Sequence, residues 1–289
     1  MLVSLNEMLS DAKKGKYAIP AFDVSNYEMM KAVLETCEEE RSPALIMALG
    51  VDLQGRNMQL LSGMIKSASN HFNVPVCLHL DHATDFNFIK KAIDCGFSSV
   101  MYDGSTLPFK DNAEKTAEVV KYAHKLNVSV EAELGHVGNA SVGSVSETGS
   151  DNDPGESLTV PEEVKEFIKI TNVDALAVAI GTSHGVYQKT PELRIDRLDD
   201  ITAICDKPLV LHGGSGTPIA QIDRAIKHGI TKINIYSDVL FALNQSLKNS
   251  LNKITNPSTW PFITYEDAIK NMKEVIRNKL KTFGSAGRV

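Results

Sequence analysis

Along the chain, short runs of apolar and β-branched residues alternate with longer stretches in which apolar positions recur every third or fourth residue. The first pattern predicts strands and the second amphipathic helices. The strand-like runs are residues 17–24, 44–49, 74–80, 99–103, 129–134, 175–180, 208–212 and 232–236. Helical stretches lie between them, among others 26–40, 86–95, 112–125, 161–170 and 218–228. The punctuation agrees. Pro161 followed by Glu162 and Glu163 suits a first helical turn, where a missing N–H costs nothing and acidic groups meet the positive end of the dipole. Gly96 and Gly229 stand where helices stop. A further helix over 5–14 is expected to cover the barrel bottom, and another over 265–281 to pack outside. Eight strand–helix units in 289 residues, with no linker or break in composition, predict a single (β/α)8 TIM barrel domain over residues 1–289. A doubly wound open sheet fits less well, because no GxGxxG follows the first strand.

One segment breaks the alternation. Residues 135–159 are rich in Gly, Ser, Asn and Asp and show no period. Structureless segments of this length in compact domains often serve as lids, so a mobile active-site loop is predicted here.

Composition narrows the partners. The net charge is -6, with 43% hydrophobic and 23% charged residues, so the chain has no basic footprint for nucleic acid. An anionic ligand would have to be met by local donors, a metal or helix ends. Cys37, Cys77, Cys95 and Cys205 form no CxxC pair and read as buried free thiols. The N-terminal stretch lacks the order of charge, apolar core and cleavage site of a signal peptide, and no apolar run reaches the length of a membrane span. A cytoplasmic protein is the expectation.

In such a barrel, reactive residues gather at the C-terminal ends of the strands. The predicted strands three to eight end in Asp81-His82, Asp103, Glu131-Ala132-Glu133, GTSHG around His184, LHGGSG from Leu211, and NIYSD from Asn234. Six consecutive strands therefore deliver polar or glycine-rich segments to one rim. His82, His184 and His212 would meet there beside carboxylates. Three imidazoles leave a zinc ion with an open position, as catalysis requires. His71, His79, His124, His136 and His228 are weaker candidates. Alternation places Cys77, His79 and Asp81 on one strand face, and Ser129, Glu131 and Glu133 on another. Two inward carboxylates on a strand call for a cation, so Asp103 and Glu133 mark a second metal or cation site or a structural salt bridge. The turn Gly213-Gly214-Ser215-Gly216, with Asn234 and Ser237 beside it, offers backbone N–H groups and a helix start to a phosphate.

These segments resemble the class II, zinc-dependent fructose/tagatose-bisphosphate aldolases. The matching stretches are AIPAFDV, HLDHA, AIDCGFSSVMYDGS, VEAELG, DALAVAIGTSHGVY, LVLHGGSG, KINIYSD and KTFGSAG, in the family's order from residue 18 to 287. The resemblance implies a lyase with Zn2+ on His82, His184 and His212, and Asp81 as catalytic acid/base. It implies that Asp103 and Glu133 act near the metal, including as a second divalent or monovalent cation site. It also implies that Gly185, Gly213, Gly214, Ser215, Asn234, Ile235, Tyr236 and Ser237 bind the phosphate and ketone half of a small sugar phosphate. The family supplies a loop acid for the last proton transfer, for which Glu147 and Glu156 are both candidates, and its members form homodimers or homotetramers. Departures cluster at the far end of the substrate: Asp23 replaces the family's usual Asn, Leu240 a usual cation, and Gln188 a usual Lys. They point to a ketose 1-phosphate whose far end lacks a phosphate or carries another group, rather than to a 1,6-bisphosphate. Two other readings remain at this point: a metal-dependent hydrolase on the same barrel, and a non-catalytic accessory subunit of a related aldolase.

Overall fold

A computed structural model describes residues 2–138, 157–185, 187 and 189–289. Glu147, Glu156 and Gln188, and most of the predicted lid, lie outside these residues. The strands are β1 (Ile19–Asp23), β2 (Ala44–Leu49), β3 (Val76–Ala83), β4 (Ser99–Tyr102), β5 (Ser129–Leu134), β6 (Ala175–Val178), β7 (Leu209–Leu211) and β8 (Ile230–Ile235). They pair in sequence order, all parallel, and β8 returns to β1 to close the barrel. The (β/α)8 TIM barrel expected from the alternation is the fold observed.

The helices follow from local chemistry. α1 (Leu5–Gly15) starts in a capping box, with Ser4 and Glu7 satisfying each other's backbone N–H groups. α6 (Pro161–Thr171) starts at Pro161 and carries Glu162 and Glu163 in its first turn. Between them and beyond lie α2 (Tyr27–Glu39), α3 (Asn57–Ser69), α4 (Phe86–Asp94), α5 (Phe109–Ala123), α7 (Ile195–Ile204), α8 (Ile219–Lys227), α9 (Ser237–Lys253) and α10 (Pro261–Thr282).

Two apolar layers result. Alternate strand residues, such as Phe22, Ile46, Leu78, Val100, Val130, Leu176 and Ile233, pack outward against the helices. Inside the barrel, Leu5, Leu9 and Ala12 of α1 plug the bottom against Ile19, Leu45, Cys77, Ala175 and Val210. One step up β3, β5 and β8 the interior turns polar, with His79, Glu131 and Lys232 all fully buried. Another step up brings Asp23, Asp81, Glu133 and Asn234, each nearly buried. The alternation of strand side chains thus carries the interior from an apolar floor to a charged mouth within three layers. Cys37, Cys77 and Cys205 are buried free thiols as expected, and Cys95 is half-buried. Among the described residues no helix is long and apolar enough to cross a membrane.

Candidate active site

β3 sets the geometry of the mouth. Regular alternation would point Asp81 inward and His82 outward. The structure breaks that rule: the β3–β4 register shifts between Leu80 and Ala83, and His82 takes a left-handed backbone with φ 44°. This bulge re-aims a side chain, a use to which bulges near sites are often put. Asp81 and His82 both reach the interior as a result, 2% and 7% exposed.

His184, in the loop after β6, and His212, one residue beyond β7, meet His82 there. The ring of His82 lies 4.7 Å from that of His184 and 4.6 Å from that of His212, centroid to centroid. All three offer ligand atoms within 4.8 Å of one another. The available nitrogens fit a cation: Nε2 of His82, Nδ1 of His212 and both nitrogens of His184 are buried without a hydrogen-bond partner. Nδ1 of His212 approaches Oε2 of Glu133 to 3.1 Å without a directed hydrogen bond. Burial would lower the His212 imidazole, but Glu131 and Glu133 outweigh it and raise it, and a cation between Nδ1 and Oε2 would take the place of a proton there. A second group, His82, Asp103 and Glu133, meets the same distance condition. The residues present therefore suit a metal ion bound by imidazoles.

The surrounding carboxylates orient these rings. Nδ1 of His82 lies 2.8 Å from Oδ2 of Asp103, whose other oxygen accepts from the Ser105 hydroxyl and backbone N–H. Nε2 of His212 lies 3.0 Å from Oε1 of Glu131, and Lys232 donates to both oxygens of Glu131 at 2.8 and 3.1 Å. Charge follows this wiring. Burial alone would depress the His82 imidazole, but Asp81 and the hydrogen bond to Asp103 outweigh it and push it up to about 10. Burial, then the neighbouring charges of His82 and His212, hold His184 well below the usual range. Burial would raise Glu131, but Lys232 and the His212 N–H hold it below the usual carboxylate range. His79 is lowered to about 3 by burial and then by Lys232, and it lies against the Ser99 hydroxyl at 2.8 Å.

Asp81 stands beside the three imidazoles. Its two oxygens each accept from Nδ2 of Asn234 at 3.2 Å, which fixes the carboxylate plane. Burial would raise its pKa, yet the positive charges of His82, Lys232 and His212 lower it. A cleft above it is lined by Asp23, Asp81, His184, Gly185, Gly213, Ser215, Asn234, Tyr236 and Ser237. Gly213 has φ 65°, and a Cβ there would sit 2.4 Å from the Ser183 carbonyl oxygen, so only glycine fits. The Ser215 hydroxyl accepts from the backbone N–H groups of Tyr236 and Asp238, tying this turn to the start of α9.

Most of the residues singled out in the sequence come together here. Gly214 and Ile235 do not line the cleft: Ile235 packs outward in the apolar shell, and a Cβ on Gly214 would strike the Ile233 side chain at 2.3 Å. Asp103 lies against His82 and Glu133 against His212. Of the weaker histidines, His228 and His124 sit outside the mouth, pairing with Asp199 and Asp174. Sequence reasoning ranked His136 among the weaker histidines, gave Glu131 a facing but no role, and passed over Lys232. His136, buried at the root of the 135–159 segment, lies 2.8 Å from the Ser105 hydroxyl. Glu131 and Lys232 form the layer below the imidazoles. Lys232 carried a usable signal, since it alternates with Asn234 on one strand face and a lysine facing into a barrel needs an acid opposite.

A closed parallel barrel whose C-terminal mouth gathers imidazoles, carboxylates and a glycine turn defines a barrel enzyme with a site suited to a metal ion. The chain belongs to the class-II fructose-bisphosphate aldolase family: residues 3–288 match the family described as "Fructose-bisphosphate aldolase class-II". It is similar to the YdjI aldolase from Escherichia coli K12, at 33% identity over 100% of this chain and 99% of that one, with a TM-score of 0.87. It is also similar to a candidate fructose-1,6-biphosphate aldolase from Coccidioides immitis, at 29% identity, with 98% and 97% of the two chains covered and a TM-score of 0.86. Fructose-bisphosphate aldolase (Fba) from Campylobacter jejuni shares the fold, at 21% identity over 100% and 97% of the chains, with a TM-score of 0.81. The protein is an aldolase, a carbon–carbon lyase.

Proposed function

We propose that this aldolase cleaves a phosphorylated ketose, a ketose 1-phosphate in preference to a 1,6-bisphosphate, into dihydroxyacetone phosphate and an aldehyde. The observation that carries the reading is the shared cleft: Asp81, His184, the glycine turn at Gly213 and the buried carboxylate of Asp23 all face one space. His82, His184 and His212 would hold zinc, which when bound polarises the ketose C2 carbonyl and its neighbouring hydroxyl. Asp81, ionised and oriented by Asn234, takes the proton of the C4 hydroxyl. The C4–O bond becomes a carbonyl as the C3–C4 bond breaks, and its electron pair passes to C3 and the C2 oxygen. A proton delivered to C3 completes dihydroxyacetone phosphate, a step for which Glu147 and Glu156 are the candidates. Gly185, Gly213, Ser215 and Ser237, beside the N-terminus of α9, suit the C1 phosphate. Asp103 and Glu133 orient the imidazoles, or hold a further cation.

Asp23 argues for the 1-phosphate. A buried carboxylate at the cleft repels a dianion and accepts well from hydroxyl groups. Retro-aldol cleavage over a panel of ketose 1-phosphates and 1,6-bisphosphates tests this, in the wild type and in Asp23→Asn. The wild type is expected to favour a 1-phosphate. Asp23→Asn should shift kcat/KM toward bisphosphates by about tenfold, the effect of removing roughly 1.4 kcal/mol of charge repulsion. Wild-type cleavage of fructose 1,6-bisphosphate far faster than of any 1-phosphate would overturn the substrate reading.

A further inference from the structure

We propose that Lys232 is a positioning residue for the metal centre: acting through Glu131, it fixes the tautomer of His212 and so keeps Nδ1 free as a ligand. The inference rests on the reading of His212 as a metal ligand given above.

Lys232 is fully buried in the middle layer of the barrel, and its ammonium donates to both oxygens of Glu131. With no exposed surface and two bonds to one carboxylate, it is not placed to touch substrate. Its effect runs upward. Oε1 of Glu131 also meets Nε2 of His212, and an ionised carboxylate only accepts, so Nε2 carries the proton. The second nitrogen, Nδ1, is then left with a lone pair; it makes no directed hydrogen bond, lies 3.1 Å from Oε2 of Glu133, and belongs to a ring that offers a ligand atom within 4.8 Å of those of His82 and His184. A carboxylate has two equivalent oxygens and tolerates rotation. One pinned through both oxygens by a lysine does not turn, and it holds the His212 ring with it. Partners of this kind behind a ligating histidine tune metal affinity by fixing ring and tautomer.

The arrangement makes a prediction that simple charge neutralisation does not. In Glu131→Gln with Lys232 retained, the ammonium takes the amide oxygen, because its shorter contact is to Oε2. The amide NH2 then faces Nε2 of His212, which must accept, and the proton moves to Nδ1. In Lys232→Met/Glu131→Gln the ammonium no longer holds the amide, which can turn its oxygen to Nε2–H of His212, with its NH2 toward Nε2 of His79, 3.8 Å from the Oε2 position, and restore the tautomer.

The test measures zinc affinity of the purified full chain by competition with a chromophoric chelator, beside the thermal midpoint of each variant. Lys232→Met and Glu131→Gln are each expected to weaken zinc binding by roughly ten- to a hundredfold. The double variant should bind zinc more tightly than Glu131→Gln alone, and ^15N spectra of the metal-free proteins should show the His212 proton on Nδ1 only in Glu131→Gln. Equal affinities in Glu131→Gln and the double variant would overturn the proposal, as would wild-type affinity in a destabilised Lys232→Met. If Lys232→Met does not fold, the comparison between Glu131→Gln and the charge-free double variant decides alone. A wild-type chain that binds no zinc would instead overturn the reading of His212 as a ligand.

Discussion

His82 spends backbone energy to reach the mouth of the barrel. A left-handed conformation costs a residue with a Cβ about 1–2 kcal/mol, so the bulge persists because the packing of β3 and the bond to Asp103 hold it. The strain lets two adjacent residues of one strand, Asp81 and His82, face the same space, which strict alternation forbids. That adjacency gives the first prediction. Asp81→Asn keeps the shape of the side chain and leaves the three imidazoles untouched, but removes the group that accepts the C4 hydroxyl proton. Zinc content measured by atomic emission is expected to stay at the wild-type level while kcat falls by roughly 10²–10⁴-fold. Near-normal turnover with metal retained would remove Asp81 from the chemistry. At this scale the sequence displayed the reactive residues well, because histidines and aspartates at strand ends stand out against apolar runs. It displayed their partners poorly. Glu131 and Lys232 meet across 101 positions of chain and His136 meets Ser105 across 31, so alternation gives a facing for Lys232 but the pairs themselves are set by the fold.

Elements were legible in kind; β2 and β5 match end to end, whereas several others differ at their ends. Periodicity places the starts of α5 and α10 at 112 and 265, whereas they start at Phe109 and Pro261; Pro108 and Pro261 are the punctuation that marks them. It places the end of β3 at 80, whereas pairing continues to Ala83 through the bulge, which hydrophobic periodicity cannot foresee because Asp81 and His82 interrupt the apolar run. α10 shows what an element far from the chemistry contributes. Ala268, Met272, Ile276 and Leu280 are fully buried in one stripe, and on its outer side Lys273 and Arg277 pair with Glu35, Glu39 and Glu40 of α2 and its end. Ile276→Ala is expected to cost about 2–5 kcal/mol in urea unfolding while kcat of the folded enzyme stays unchanged; loss of activity in fully folded protein would count against this purely structural role. The ion pairs give a weaker, pH-dependent term. Burial would raise Glu35, but Lys31 and Lys273 outweigh it and hold it below its ordinary 4.5. A depressed carboxylate stabilises the fold above its unfolded pKa and loses that contribution as pH falls through the folded value. The stabilisation should therefore fade only below about pH 4.5, and Glu35→Gln should flatten that limb by no more than about 1 kcal/mol, since the pair is only part-buried and solvent screens it.

The whole barrel was legible because topology is a counting matter: eight alternating units admit a closed parallel barrel, and the rim then follows from strand direction alone. The vertical gradient inside it was only half visible, since alternation gives the facing of each residue and not its height relative to residues on other strands. That gradient has an energetic consequence. Asp81, Asp103, Glu131 and Glu133 are buried near one another, while Lys232 is the one buried lysine among the described residues and already belongs to Glu131. Burying unpaired carboxylates is expensive, so the mouth holds negative charge that bound protons or a cation must offset. His82 supplies part of this when protonated, and a zinc ion would supply more and displace the protons. A ligand that binds only the folded state stabilises it by about 2.7 kcal/mol at a hundredfold excess over its dissociation constant. At roughly 2–4 °C per kcal/mol for a chain of this size class, stripping the ion should lower the thermal midpoint by about 5–11 °C. The experiment compares melting and retro-aldol activity in chelator, then after adding zinc or magnesium. Zinc is expected to restore both, and magnesium neither, because imidazole nitrogen suits the softer ion. A midpoint and an activity that ignore the chelator would mean that the charge of the mouth is balanced by protons alone, and the three histidines would have to be assigned another role.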